Sequence, residues 1–197
     1  MATGQSRYLT LTHDAPARLD QEPRQGLPID APPESDRTIA LTLGLAERLK
    51  QVVDEGLICT YSIDLQVSVL PGILQANRRP DLVVLTPKLA AQLSEKWGAI
   101  GLEMTNPALV VEVVGPYGTP ADAPYRYDYI EKSRQYEQRG VPEYWIVDPT
   151  AAEVTVLALH MENTYQGRAF WGPQRIRSAG FPTLDLTVND LLGLGAE

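Results

Sequence analysis

The chain has 197 residues, enough for one domain with a substantial core but too few for two comfortable ones. Hydrophobic residues at 44% and charged residues at 21% are ordinary for a soluble globular protein, and the apolar runs are too short to cross a bilayer. The formal net charge of -8 argues against tight binding of nucleic acid through a broadly basic surface. Without a visible signal peptide, we expect a cytoplasmic protein with no membrane association.

Five prolines among charged residues interrupt residues 11–34, so neither a helix nor a central strand runs through them. We therefore predict residues 1–34 as a proline-rich N-terminal arm and 35–197 as the folded domain. Ser35 offers an N-cap for the first helix, which Gly56 ends. Its apolar residues recur at helical spacing: Ile39, Leu43, Ala46, Leu49 and Val53.

The remaining elements alternate between β-branched runs and helical patterns. Together they predict an α/β fold, with a mixed sheet flanked by helices. The predicted strands cover residues 57–70 (one long strand or a bent pair), 82–85, 108–114, 143–147, 154–159 and a hairpin over 165–176, and 184–192 predicts a closing strand and helical turn. The predicted helices are a short one from Pro87 through Leu93 and Trp97 and a longer one over about 126–139, closed by Gly140.

Any metal in this protein is expected to be held by oxygen. The single Cys59 cannot form an internal disulfide, and one thiol with His13 and His160 cannot assemble a structural zinc site. Carboxylates, carbonyls and water favour a hard cation, so the expected cofactor is Mg²⁺ or Mn²⁺.

Two carboxylates occupy positions that folding alone does not explain. Asp81 opens the apolar run to Leu85, and Glu112 interrupts the run Ala108–Val114. An unpaired ionised carboxylate is costly to bury, which indicates a bound partner. The simpler alternatives are that Asp81 faces solvent or caps a turn after Pro80, and that Glu112 forms a structural ion pair with an arginine.

Lys132 is the third unusual residue. At helical spacing it shares a stripe with Tyr125, Tyr129 and Tyr136, with Asp128 one turn before it. A lysine on such an aromatic face either snorkels outward along its stem or points its ammonium into a cleft shared with carboxylates. Two carboxylates and a lysine are the groups that metal-assisted hydrolysis of a phosphodiester requires.

Arg78 and Arg79, directly before Pro80, could offset the acidic balance locally by binding phosphate. The simpler interpretation, which the sequence alone favours, is that both arginines lie on the solvated surface.

Four segments of the chain resemble one bacterial family. They are residues 79–85 (RPDLVVL), 107–116 (PALVVEVVGP), 128–136 (DYIEKSRQY) and 140–149 (GVPEYWIVDP). The family is the Uma-type family of proposed restriction endonucleases, formerly a domain of unknown function, in the PD-(D/E)XK nuclease superfamily. The resemblance runs from about Ser35 to the C-terminus and implies a restriction endonuclease-like PD-(D/E)XK core.

The resemblance also implies roles for individual residues. Asp81 and Glu112 match the motif carboxylates that hold the metal, and Val113 matches the residue whose backbone carbonyl is a further ligand. The superfamily's usual lysine position holds Val114 here, and Lys132 matches a migrated lysine on the helix. The accompanying positions are Asp128, Tyr136 and, on the first helix, Glu47. Gly115 replaces a serine that the family often carries, so any contact of that hydroxyl is absent.

These observations predict a Mg²⁺- or Mn²⁺-dependent endonuclease that hydrolyses phosphodiester bonds of nucleic acid, with DNA the expected substrate. The alternative is a catalytically silent nuclease-like domain that binds nucleic acid or a protein partner, and we expect a homo-oligomer, as a dimer. A carboxylate-pair glycosidase is a weaker third interpretation, because such sites need no essential lysine.

Overall fold

A computed structural model of the chain describes residues 8–9, 35–94 and 99–194. Within these ranges no helix is long and apolar enough to span a membrane. The helices are α1 (Asp36–Leu49), α2 (Pro87–Ser94), α3 (Ala123–Arg126), α4 (Ser133–Arg139) and α5 (Val188–Leu192), and a π-helical segment, Tyr127–Lys132, joins α3 to α4. The strands are β1 (Tyr8–Leu9), β2 (Ile58–Thr60), β3 (Asp64–Gln66), β4 (Asn77–Arg78), β5 (Leu82–Val84), β6 (Ala99–Ile100), β7 (Leu109–Val113), β8 (Glu143–Asp148), β9 (Glu153–Leu159) and β10 (Tyr165–Trp171).

A seven-stranded mixed sheet forms the centre of the fold, in the order β1-β10-β9-β8-β7-β5-β2. Strands β7 and β8 run parallel, and the other neighbouring pairs are antiparallel. Every residue of β7 and β8 is buried, as expected for near-continuous apolar runs that are covered on both faces. A second sheet has the order β4-β3-β6. The predicted mixed sheet flanked by helices is confirmed.

The two faces of the central sheet carry separate apolar clusters. The first face, which includes Val111 and Trp145, packs against α1 and α5. The second face, which includes Val110 and Ile146, packs against the small sheet, α2, the π segment and α4. Because side chains alternate along a strand, Glu112 shares the second face with Val110.

The first helix begins as predicted but ends earlier and buries a partly different stripe. Ser35 caps α1 by accepting a hydrogen bond from the Thr38 N–H, and the helix ends at Leu49 rather than at Gly56. Of the predicted apolar stripe, Ala46 and Leu49 are buried, whereas Ile39 and Leu43 are 38% and 49% exposed. The sequence carries apolar residues on two stripes of this helix, and packing selects the one that holds Leu41, Leu45 and Leu49.

Residues 57–70 form the predicted bent pair rather than one strand. Tyr61 adopts a φ of 52°, so the chain turns between β2 and β3, which belong to different sheets. The long helical region starts at Ala123, somewhat before the prediction, and ends at Gly140 with a left-handed φ of 83°. Near the C-terminus, α5 forms with one bridge between Arg175 and Thr187 in place of the predicted closing strand.

The predicted N-terminal arm lies outside the described residues except for β1, which pairs antiparallel with β10. Trp97, predicted at the end of the short helix, also lies outside them.

Candidate active site

Asp81 and Glu112 come together because β5 and β7 pair antiparallel. Leu82 lies opposite Val111, so the next pair along the ladder brings Asp81 opposite Glu112, with both side chains on the second face. The two residues are 4% and 1% exposed. The solvent-facing interpretation of Asp81 is therefore wrong.

The backbone of Val113 joins this pair of carboxylates. Asp81 Oδ2 accepts a hydrogen bond from the Val113 N–H at 2.6 Å. The neighbouring Val114 N–H donates to the Val147 carbonyl of β8, so Val113, one residue earlier, turns its backbone groups towards β5. The Val113 carbonyl therefore lies along the same edge as Asp81.

Lys132 bridges two carboxylates from different elements. Its Nζ lies 2.8 Å from Glu112 Oε2 and 2.7 Å from Asp128 Oδ1. Tyr136, which is fully buried, donates its hydroxyl to Glu112 Oε1 at 2.6 Å. Each oxygen of Glu112 thus has a defined donor, and the predicted residues Asp81, Glu112, Lys132, Asp128 and Tyr136 form one cluster.

The backbone that carries Asp128 and Lys132 is π-helical, a conformation that is rare and frequent at functional sites. Two tyrosines fix this segment. Tyr144 of β8 donates its hydroxyl to the Asp128 carbonyl at 3.0 Å, and Tyr129 donates to Asp148 Oδ2 at 3.1 Å. Tyr125 stacks on the Tyr129 ring with centroids 4.2 Å apart. The segment is therefore anchored to both ends of β8.

The charges in this cluster depend on one another. Burial raises the pKa of Glu112 above its usual value, against the attraction of Lys132. Burial alone would lower the pKa of Lys132, but the negative charges of Asp128 and Glu112 outweigh it and hold that pKa above its usual value. Burial and the charge of Glu112 also raise the pKa of Tyr136, so its hydroxyl stays a proton donor.

The contacts of Glu112, Lys132 and Glu47 decide between the alternatives that the sequence leaves open. The partner of Glu112 is a lysine, not the arginine of the structural alternative. Lys132 is 20% exposed at its side chain but places its ammonium between two carboxylates, so it does not snorkel into solvent. Glu47 is 69% exposed, pairs with Lys50 at 2.7 Å and sits on α1 against the first face. The structure does not bring Glu47 to the cluster.

Sequence patterns missed two residues beside the site. Arg78, which the sequence places on the solvated surface, has a side chain that is only 9% exposed, whereas Arg79 is 64% exposed as expected. Gln135, which no sequence pattern distinguishes, is fully buried and accepts a hydrogen bond from Arg78 Nε at 2.7 Å. No periodicity could reveal this pair, because 57 residues separate its members.

The oxygen donors of the cluster suit a hard cation. Mg²⁺ keeps several waters and needs only one or two protein carboxylates, which Asp81 and Glu112 could supply with the Val113 carbonyl. Across residues 8–9, 35–94 and 99–194, no three acidic, histidine or cysteine side chains converge as a larger ligand set. The residues present therefore fit a sparse magnesium or manganese site rather than a closed protein cage.

Comparison with known proteins identifies the family. A family model described as "Putative restriction endonuclease" matches residues 6–189. The chain belongs to the Uma2 family. This match begins within the predicted N-terminal arm and covers every residue of the cluster.

A crystal structure described as a "putative nuclease belonging to DUF820", from Anabaena variabilis, has the same fold as this Uma2 chain. The TM-score is 0.60 at 16% sequence identity, over 87% of this chain and 88% of the other. No curated protein matches the chain. The family and the restriction endonuclease-like fold expected from the sequence are thus confirmed.

Proposed function

We propose that this Uma2 protein is a Mg²⁺- or Mn²⁺-dependent endonuclease that hydrolyses phosphodiester bonds of nucleic acid, with DNA as its substrate. The observation that carries the proposal is the position of Lys132, whose ammonium lies within 3 Å of carboxylates from β7 and from the π segment. A cation so placed can stabilise negative charge that develops on a phosphoryl oxygen.

Asp81, Glu112 and the Val113 carbonyl would hold the metal ion in this proposal. When bound there, the ion would supply Lewis-acid stabilisation of the phosphoryl oxygens and lower the pKa of water. The hydrogen bond from the Val113 N–H fixes the Asp81 carboxylate against the strand, and the Tyr136 hydroxyl fixes that of Glu112. Such support of ligating carboxylates is what a metal site requires around its first ligands.

Lys132 has a separate role, which is to orient the attacking water or to stabilise charge on the scissile phosphate. Asp128 keeps the ammonium near the site, since it holds Lys132 at 2.7 Å independently of Glu112. The remaining 20% exposure of the lysine side chain gives a substrate a route to it.

The test is cleavage of DNA with Mg²⁺ or Mn²⁺ by the wild type, Asp81→Ala and Lys132→Ala. Glu162→Ala, in the exposed turn between β9 and β10, serves as a folded control. We expect cleavage by the wild type and the control, and at least about a hundredfold loss in the other two, the usual scale for removing a transition-state charge stabiliser.

Equal activity in all four proteins would contradict the proposal. Absence of cleavage by the wild type, with DNA still bound, would favour the silent nuclease-like domain instead. The same preparations should be tested on RNA, since cleavage of RNA alone would contradict the choice of DNA.

A further inference from the structure

Arg78 is buried beside the cluster, although an arginine next to a Pro-Asp turn would ordinarily be solvated. It ends β4, three residues before Asp81, and its side chain is 9% exposed. The adjacent Arg79 shows the ordinary case, because its side chain is 64% exposed and its guanidinium contacts Asp64 at 2.7 and 3.1 Å. The two neighbouring arginines therefore differ in environment.

Gln135 holds the Arg78 guanidinium in one orientation. Its Oε1 accepts from Arg78 Nε at 2.7 Å, and its amide donates to the carbonyls of Ser68 and Gln75 at 2.8 and 2.7 Å. Because both amide donors are engaged, the side chain cannot rotate without losing these bonds. Arg78 is thus preorganised by a fully buried residue.

One end of the guanidinium remains without a hydrogen bond. Arg78 Nη2 is buried and has no hydrogen-bond acceptor among the described residues. The Glu131 carboxylate lies 3.6 Å away, which balances charge but is too far for a hydrogen bond. Arg139 also leaves a buried Nε without a hydrogen bond, but both of its Nη atoms donate, to the carbonyls of Gln66 and Gly101 beside the small sheet, so it has no free Nη donor for a ligand.

Arg78 contacts the helical region that carries part of the cluster. Its two partners, Gln135 and Glu131, immediately precede Tyr136 and Lys132. The positive charge of Arg78 also acts on the Tyr136 hydroxyl, where it opposes the rise in the pKa of that tyrosine. If Lys132 contacts one phosphate of a bound strand, as in the proposed function, the anion available to Arg78 is another phosphate of the same nucleic acid.

We propose that Arg78 binds a backbone phosphate of the nucleic acid through its Nη2 donors, with Gln135 as the positioning residue and Glu131 as the anion that the phosphate displaces. Arginine suits this role because its planar fork donates two hydrogen bonds to one phosphate. The inference rests on the proposed function, which supplies the ligand.

The test measures binding of a fluorescein-labelled short DNA duplex, and of its single strand, in EDTA across a salt series. Arg78→Gln should weaken binding about tenfold, the scale of a charge-assisted hydrogen bond. The slope of log K against log salt should become shallower by about 0.9 for the duplex, or about 0.7 for the single strand, since one phosphate contact is lost. Arg79→Gln is the matched neighbour and should change neither quantity by as much.

Glu131→Gln provides a test in the opposite direction that keeps Arg78 in place. This substitution removes the charge that competes with the phosphate, so it should tighten DNA binding by at least about threefold more than Glu162→Gln does. Glu162→Gln makes the same charge change on an exposed turn. A purely structural ion pair predicts no difference between these two variants. Because Glu131 is 18% exposed, this variant is expected to fold even if Arg78→Gln does not.

Equal effects of Arg78→Gln and Arg79→Gln, equal effects of Glu131→Gln and Glu162→Gln, or no binding by the wild type would each overturn the assignment. The assay contains no divalent cation, so its result is independent of cleavage. A wild type that binds with these dependences but never cleaves would overturn the nuclease proposal alone. Cleavage with unaltered binding by Arg78→Gln would overturn only the role of Arg78.

Discussion

Each face of the central sheet buries a carboxylate, and the two carboxylates have different hydrogen-bond donors. On the first face, Glu143 of β8 is 2% exposed and accepts hydrogen bonds from Trp145 Nε1 at 2.6 Å and from the Gly180 N–H at 3.1 Å. On the second face, Glu112 of the adjacent strand is 1% exposed and is bound by Lys132 and Tyr136. Both carboxylates are satisfied, but one by neutral donors and the other by a charged donor that solvent can reach.

The difference separates a structural carboxylate from a candidate functional one. Glu143 ties its strand to the loop at Gly180 and needs no counter-charge nearby. Glu112 depends on the ammonium of Lys132, which Asp128 also binds. Another cation can therefore replace the lysine as the counter-charge of Glu112. A buried carboxylate alone therefore does not indicate a functional site. A buried carboxylate whose counter-charge is partly exposed and shared with a second carboxylate does.

Lys132→Met should give the largest effect on stability. The substitution leaves Glu112 without its counter-charge, and breaking a buried pair in this way costs about 3 kcal/mol. Because burial raises the pKa of Glu112 in the folded protein, the folded state binds its proton more readily than the unfolded chain. The stability lost by the substitution should therefore be smallest below the ordinary glutamate value of 4.5 and should grow as pH rises above it.

Urea denaturation of Lys132→Met and of the wild type across this pH range measures the effect. An equal stability difference at all pH values would show that Glu112 does not depend on the lysine charge.

Glu112→Gln and Glu143→Gln should both cost about 1–3 kcal/mol of stability but should differ in cleavage. The first should reduce cleavage by at least about a hundredfold, because it changes a proposed metal ligand, and its amide NH₂ replaces an oxygen that accepts from Lys132 or Tyr136. The second should keep cleavage but lose about 1–3 kcal/mol of folding stability. The Trp145 indole N–H and the Gly180 N–H each donate to one oxygen of Glu143, and the amide NH₂ of glutamine would replace one of these oxygens. Parallel cleavage assays and denaturation curves compare them, and a shared pattern would remove the distinction between the faces.

Tyr136→Phe should have an intermediate effect. It removes the hydroxyl that fixes Glu112 Oε1 and so should cost about 1 kcal/mol of stability and about tenfold in cleavage. Tyr165→Phe, which loses a buried hydrogen bond to the Val141 carbonyl, is the matched control and should cost only stability. Cleavage rates at saturating DNA measure the difference.

Glu47→Ala should have the smallest effect. An exposed pair with Lys50 contributes less than about 1 kcal/mol, and Glu47 lies on the helix that packs against the first face. Cleavage should be unchanged. A large loss of activity would return Glu47 to the site and blur the comparison between the faces.

Much of the fold and the core of the site could be predicted from sequence, because their signals are local. The apolar run around Glu112, the stripe through Lys132 and the cap at Gly140 each reflect burial or backbone geometry within a few residues. The buried stripe of α1 could not be predicted, since both stripes are apolar and the sheet selects between them. The π segment has no local signature, and the burial of Arg78 depends on Gln135 from a distant helix.

Binding of Mn²⁺, measured by electron paramagnetic resonance, tests the metal site directly in the wild type, Asp81→Asn and Glu112→Gln, with Glu143→Gln as the buried control. We expect saturable binding by the wild type and by Glu143→Gln, and loss of that binding in the two variants of the second face. Equal binding by all four proteins, or none by the wild type, would contradict the proposed metal site.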